Sequence, residues 1–280
     1  MTRESDPIKT NALTRRDLLT VAAAGIAVQT LAIPTARATT RPGTVLITGS
    51  NRGIGLELAR WYAEHEWRVI ATARKPDRAT DLQAIAAAHP KVRLEQLDLL
   101  DHEMIDRLAA TLADLPIDVL LNNAAILGEP NEQNFGSMNF ALLSRVMATN
   151  VAGPMKVAEA FAAHVEASEQ KKIVSLTSTQ GSISSLRRPG LVFYNMSKAA
   201  LNMGMKSNST ALKKRGITVA LVSPGAVDTD MMNLALDRAG VSFKLLPAAQ
   251  SAEMVATVID NYGLDQTGTF VSHKGEIIPW

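Results

Sequence analysis

A doubly wound α/β architecture, with a parallel sheet of seven strands and helices on both faces in one domain, is predicted by three observations. Short β-branched runs alternate with longer amphipathic ones from Thr44 to the end of the chain. The short runs are apolar almost throughout, as strands covered on both faces must be. No low-complexity linker divides the 280 residues, of which 46% are hydrophobic, enough for one large core.

The strands are "TVLIT" (44–48), "WRVIATA" (67–73), "KVRLEQL" (91–97), "IDVLLN" (117–122), "KIVSLT" (172–177) and "ITVALVS" (217–223), with "GTFVS" (268–272) as the seventh. Helical stretches lie between them, near 54–65, 77–88, 102–113, 137–149, 151–168 and 195–214. Strand, helix, strand repeated in this way implies parallel pairing. Such a sheet binds ligands beyond the carboxyl ends of its strands, where strand order reverses.

Charge excludes one class of partner. With 29 Lys and Arg against 27 Asp and Glu, net +2, and neither a basic stripe nor an acidic tail, nucleic acid is not an expected partner. The absence of cysteine removes disulfides, thiolate metal sites and a cysteine nucleophile together. His65, His89, His102, His164 and His273 are scattered without ligand spacing, so no metal site is expected.

Residues 1–38 have a separate character. Arg15 and Arg16 precede a weakly apolar run of about sixteen residues, shorter than the roughly twenty that span a bilayer, and Ala36-Arg-Ala38 fits a small-x-small cleavage site. This resembles a twin-arginine export signal, with cleavage after Ala38, no membrane anchor thereafter and a periplasmic destination for residues 39–280. The alternative is a cytoplasmic protein with an extension that is not a signal. Cleavage would remove five basic and three acidic residues and leave the remainder neutral.

The end of the first strand is chemically informative. In "TVLITGSNRGIGLELARWYAEH", Gly49, Gly53 and Gly55 follow the strand and open the first helix, with Ser50, Asn51, Arg52 and Ile54 between them. Backbone without side chains can approach a pyrophosphate there, and helix amides can meet its charge. The spacing is T-G-x-x-x-G-x-G, which differs from the dinucleotide fingerprint G-x-G-x-x-G.

A second pattern is Tyr194-Asn-Met-Ser-Lys198. On a helix, positions four apart share a face, which sets the Lys198 charge beside the Tyr194 hydroxyl and favours its ionised form.

Further motifs appear in order: Asp98 after the third strand, Asn122-Asn-Ala124 after the fourth, Asn150 in "TNVAG", Ser178 after the fifth, and Pro224-Gly225 after the sixth. Taken with the glycine loop and the Tyr-Lys pair, they resemble the short-chain dehydrogenase/reductase family over about Thr44 to Trp280, in particular the C-factor and sniffer-type carbonyl reductases. The resemblance implies a Rossmann-like fold and hydride transfer between a carbonyl and a secondary alcohol. It implies Tyr194 as general acid and base, assisted by Lys198, which would also hold the cofactor ribose. Ser178 would stabilise the charge developing on the substrate oxygen, and Asn150 would anchor a water relaying protons from Lys198. Ser175, Thr177 and Ser182 are rivals to Ser178, which is preferred because it ends the strand.

The cofactor follows from charge. NAD-selective sites place a carboxylate at the end of the second strand, whereas this strand ends "ATARKP", with Arg74 and Lys75 after Ala73 and with Arg52 in the glycine loop. A guanidinium suits a 2′-phosphate, so NADP is expected over NAD. The resemblance places Asp98 and Leu99 at the adenine, Asn122 and Ala124 along the adenosine, and Pro224, Gly225, Val227 and Thr229 toward the nicotinamide. One departure is Ala125, where the family has glycine; its methyl group is expected to crowd the loop.

A lid is expected from Asp230 to Ala249, with Ile126–Asn139 and Ser182–Phe193 completing a pocket for a modest apolar carbonyl or alcohol; Met231, Met232, Leu234 and Phe243 are the candidate contacts. "MSKAALNMGM" resembles the pairing helix of family members and implies a homodimer or homotetramer. The rival reading is a nucleotide-binding signalling or regulatory protein of the C-factor type that needs no turnover, against which stand the four intact catalytic positions.

Overall fold

The computed structural model describes residues 42–187 and 190–280, all within one compact unit. The expected leader, residues 1–38, lies outside the described residues. Seven strands form the sheet: β1 (Thr44–Ile47), β2 (Arg68–Ala73), β3 (Val92–Gln96), β4 (Val119–Asn122), β5 (Lys172–Leu176), β6 (Thr218–Ser223) and β7 (Phe270–Ser272). Their order is β3-β2-β1-β4-β5-β6-β7, and every named pair is parallel. The expected doubly wound sheet is the observed one.

Alternation along each strand supplies two cores. Val45, Ile47, Val119, Leu121, Val174 and Val222 face α1 (Gly53–Glu64), α2 (Thr80–Ala88) and a later helix, α8 (Ala248–Asn261). Leu46, Ile70, Leu120, Ile173 and Leu221 face α3 (His102–Thr111), α5 (Gly153–Glu166) and α6 (Val192–Lys213). A period of two puts neighbouring residues on opposite faces, which is why the inner strands are apolar at nearly every position, whereas the edge strand β3, VRLEQ, is not.

Three differences from the sequence reading have physical causes. The segment around 137–168 does not break at Asn150. Instead α4 (Phe140–Met147) passes through one π turn, Ala148–Ala152, into α5, with the Gly153 amide donating to the Ala148 carbonyl. No element is expected from 250 to 267, yet α8 fills most of it and buries Ala252, Val255, Ala256 and Ile259 along one stripe against α1. Finally, part of the expected lid is helical: α7 (Asp230–Ala239) is capped by the Thr229 hydroxyl, which accepts from the Met232 amide, and it contains no buried residue.

Among the described residues no helix is long and apolar enough to cross a membrane. The bottom of the sheet is tied by Asp118, whose carboxylate accepts from the amides of Thr44, Glu169 and Gln170. Both neighbours of the strand order's reversal, β1 and β4, are thereby fixed at one end, and their other ends are free to build a cleft.

Candidate active site

At the reversal point the turn after β1 meets the turn after β4. The Thr48 hydroxyl accepts from the amides of Asn123 and Ala124 at 3.0 and 3.1 Å, and the Asn123 side chain donates to the carbonyls of Thr48 and Gly49 at 2.9 and 3.0 Å. This clamp explains the glycines. A Cβ on Gly49 would stand 2.8 Å from the Ala124 Cβ, and one on Gly55 would stand 2.3 Å from the Gly49 carbonyl oxygen and 2.4 Å from Asn123 Nδ2. Gly53 takes φ +56, the left-handed region that glycine enters without steric cost.

α1 begins inside this turn without a side-chain cap among the described residues and without an acid in its first turn. Its first amides therefore point into the cleft uncompensated, the arrangement that suits an anionic ligand. Asn122 is buried; its Nδ2 donates to the Pro154 carbonyl at 3.2 Å, while its Oδ1 has no partner among the described residues. An orphaned acceptor and a loop that admits no Cβ fit a dinucleotide's hydroxyls and phosphates.

Around this cradle stand the other expected cofactor residues. Arg74 and Asp98 follow β2 and β3, and Leu99, buried, lies 2.7 Å from where a Gly153 Cβ would be. Beyond β6, Gly225 takes φ +91 over the His273 ring, Val227 is buried, and Thr229 lies 3.3 Å from the Cβ position of Gly53. Arg52 is not free: it pairs with Asp230 at the start of α7 at 3.2 Å, both side chains exposed.

The residues expected to react stand beyond β5. Ser178 follows that strand by two residues, at the head of the 3₁₀ turn Thr179–Gly181, where its hydroxyl accepts from the Gln180 amide at 3.2 Å and stands near enough to the Tyr194 hydroxyl to draw its pKa down. Of its rivals, Ser175 is fully buried in the strand, Thr177 is buried too, and the Ser182 hydroxyl donates to the Pro279 carbonyl at 2.6 Å. Lys198, one turn after Tyr194 on α6, is 3% exposed. Its Nζ donates to the Leu176 carbonyl at 2.9 Å and lies 5.7 Å from the Tyr194 ring centre.

Electrostatics corrects one expectation. The helical spacing leads to the Tyr194 phenol being drawn toward ionisation by Lys198. Instead burial pushes the phenol up to about 12, opposed by the Ser178 hydroxyl, and burial pushes Lys198 down to about 8. Spacing on one helix sets proximity, whereas desolvation is set by the whole fold and here outweighs it. The pair rests as a neutral phenol beside an easily deprotonated amine.

Asn150 is buried and held by three hydrogen bonds. Its Oδ1 accepts from the Ile126 amide at 2.8 Å, and its Nδ2 donates to the Ile126 carbonyl at 2.8 Å and the Ser197 hydroxyl at 3.0 Å. Both amide hydrogens are thus committed, and the side chain cross-links the segment after β4 to α6. It sits in the π turn, a distortion that often marks functional positions. Ala125 takes no left-handed φ, since the left-handed non-glycine residues among those described are Glu66, Lys171 and Leu191, and the chain after Ala125 is held by these same Asn150 bonds.

Residues 43–239 match the family model for short chain dehydrogenases. The chain belongs to the short-chain dehydrogenase family. An uncharacterized oxidoreductase of Schizosaccharomyces pombe is 33% identical over 252 residues, covering 84% of this chain and 96% of that protein. The C-signal of Myxococcus xanthus is 33% identical over 165 residues, covering 59% of this chain and 93% of its own length. Among solved structures, the NADPH-bound carbonyl reductase from chicken fatty liver superposes with a TM-score of 0.77 at 28% identity, covering 86% of this chain and all of that one. The carbonyl reductase Sniffer of Drosophila melanogaster gives 0.76 at 27%, with the same coverage.

Three residues that build this short-chain dehydrogenase's site were not among those expected there. Thr48 and Asn123 bracket the glycine turn, and both stand inside motifs that were legible. Their role could have been found by asking what holds the turn as well as what touches a ligand. Gln133 was not signalled by any motif, and it is bonded to the backbone of Tyr194.

Proposed function

We propose that this dehydrogenase family member uses NADP(H) to interconvert a carbonyl and a secondary alcohol, with Tyr194 as general acid and base. The carrying observation is the grouping of Ser178, Tyr194 and Lys198 beyond β5, at the same carboxyl ends of the strands as the glycine cradle beyond β1. NADPH supplies the hydride when bound. The cradle and α1 amides suit its pyrophosphate, Asn122 its hydroxyls, and Arg52 and Arg74 its 2′-phosphate. The structural neighbour that holds NADPH favours this choice over NAD.

The proton chemistry favours reduction. A phenol pushed to about 12 is protonated at neutral pH and can donate to a carbonyl oxygen as charge develops there. Ser178 donates to the same oxygen, and the Lys198 ammonium stabilises the phenolate left behind. Leu234 and Phe243, on the lid and both partly exposed, suit an apolar substrate. Exposed Met196 and Met203 on α6 support pairing with a second copy, which light scattering would test. Export through the leader is tested by sequencing the amino terminus of the protein from fractionated cells.

The deciding experiment follows NADPH absorbance across a panel of aldehydes and ketones. Tyr194→Phe should lower turnover on the best of them by about 10² to 10⁴-fold while still binding NADPH. The likeness to C-signal favours a second reading, a nucleotide-binding signalling protein. Tight NADPH binding with no turnover on any carbonyl, and unaltered biological output from Tyr194→Phe, would select it.

A further inference from the structure

We propose that Gln133 is a positioning residue for Tyr194, capping the catalytic helix from a distant loop; the inference rests on the role of Tyr194 given above. α6 starts without a local cap. Leu191 stands at its N-cap position in the left-handed region, φ 49, with no side-chain cap, and Gly190-Leu-Val-Phe193 offers none of the Ser, Thr, Asp or Asn that usually accept from first-turn amides. The amides of Val192, Phe193 and Tyr194 are donors that the helix itself cannot satisfy. The first helical bond is that of Asn195, to the Leu191 carbonyl.

Gln133 fills this gap from 61 residues away. Its Oε1 accepts from the Tyr194 amide at 3.0 Å. It ends the short 3₁₀ turn Pro130–Gln133 and is wholly buried. Its Nε2 donates to the carbonyls of Leu127 at 2.8 Å and Glu129 at 3.4 Å. These acceptors fix which way the amide faces, because reversing it would aim its NH₂ at the Tyr194 N–H and its oxygen at two carbonyls. Gly128 keeps the space tight: its Cβ would lie 3.2 Å from Gln133 Nε2, and its φ is +79.

The other backbone group of Tyr194 is held as well. Its carbonyl accepts from the Ser197 hydroxyl at 2.7 Å, and that hydroxyl accepts from Asn150. A residue in the first turn of a helix is where fraying begins, and a misplacement of about 1 Å at a reacting group can cost on the order of 10²-fold in rate. Gln133 therefore acts on chemistry through the backbone of Tyr194, with no contact to its hydroxyl.

The test uses Gln133→Met, which keeps the bulk and removes the acceptor, and Gln133→Glu, which keeps an acceptor. With Gln133→Met, kcat for carbonyl reduction should fall about tenfold with KM for NADPH within about twofold, and the Tyr194 amide should exchange hydrogen about tenfold faster or more while the rest of α6 keeps its protection. Glu at this position faces two carbonyl oxygens and can make both sets of bonds only when protonated. Its kcat should therefore lie near wild type at low pH and fall as pH rises toward about 8, across the range in which wild type is level. If Gln133→Met does not fold, this fall alone carries the test, and a profile parallel to wild type overturns the proposal. Unchanged Tyr194 exchange, or faster exchange with kcat within about twofold of wild type, also overturns it. If wild type turns over no carbonyl, or if Tyr194→Phe equals wild type, the reading of Tyr194 fails and takes the catalytic part of this proposal with it. The exchange result would still show whether Gln133 caps the helix.

Discussion

The Lys198 ammonium lies 5.7 Å from the centre of the Tyr194 ring and gives a hydrogen bond to the Leu176 carbonyl at 2.9 Å. Both side chains are shifted by burial toward their neutral forms, the phenol up to about 12 and the amine down to about 8. Carbonyl reduction needs the phenol protonated and the amine charged. kcat/KM for reduction should therefore be level below pH about 8 and fall about tenfold per pH unit above it, as read from steady-state rates between pH 6 and 10. The stability signature runs the other way for the lysine. Its depressed pKa means that folding loses stability as pH falls from the unfolded value, roughly 10.4, to about 8, because only the unfolded chain takes up the proton readily there. Lys198→Met should thus lose turnover yet melt higher at pH 7 than wild type, with the gain vanishing near pH 10.

Gly55→Ala should dismantle the cradle. The new Cβ meets the Gly49 carbonyl and Asn123 Nδ2, and neither can retreat without breaking the bonds from Asn123 to Thr48 and Gly49. The expected cost is about 3 kcal/mol of stability and more than tenfold in NADPH affinity, by thermal unfolding and by nucleotide fluorescence. Gly53→Ala, whose Cβ touches only the Thr229 methyl at 3.3 Å, should cost about 1 kcal/mol, mainly for the left-handed backbone.

The ion pair between Arg52 and Asp230 makes opposite predictions for its two members. Arg52→Ala should raise KM for NADPH about tenfold and leave KM for NADH within about twofold, since only the former offers a phosphate for the guanidinium. Asp230→Asn releases Arg52 from an exposed pair worth under about 1 kcal/mol, so KM for NADPH should fall about two- to threefold. Paired kinetics with both nucleotides distinguish the two effects.

Asp260 on α8 is pushed up to about 6 by burial, with Lys172 and His65 drawing it the other way. A raised carboxyl contributes its stability below its unfolded value near 4, and this is lost as pH climbs through about 6. Asp260→Asn should stabilise by about 1 kcal/mol at pH 8, after allowance for its partial exposure, and by nothing at pH 4. Melting curves at the two pH values measure the difference.

Local periodicity made most of this molecule readable before its structure. The strands are β-branched and apolar at successive positions because both faces are covered, and the glycines of the cradle occupy fixed places after the first of them. α8 was also legible in principle, since Ala252, Val255, Ala256 and Ile259 repeat at helical intervals; only its place after a presumed lid concealed it. The π turn at Asn150 was not legible, because Ala148–Ala152 contains nothing that distinguishes a five-residue hydrogen-bonded ring from an ordinary turn or a break. The same holds for Gln133 and for the shifts of Tyr194 and Lys198. Each is decided by groups brought together from separate parts of the chain, so spacing within one helix gave the partners and could not give the outcome.

The neighbourly placement of β1 and β4 also orders events during synthesis. β1 pairs with β2 as soon as both have left the ribosome, but its other edge waits for Val119–Asn122, and the turn at Gly49 waits for Asn123. The nascent chain must therefore grow more than seventy residues past Gly49 before its nucleotide-holding turn can set, and until then the inner edge of β1 is open to unwanted pairing. A pause in translation once Asn123 has emerged from the ribosome would favour a correct product, whereas truncation before Asn123 would leave a chain prone to aggregation.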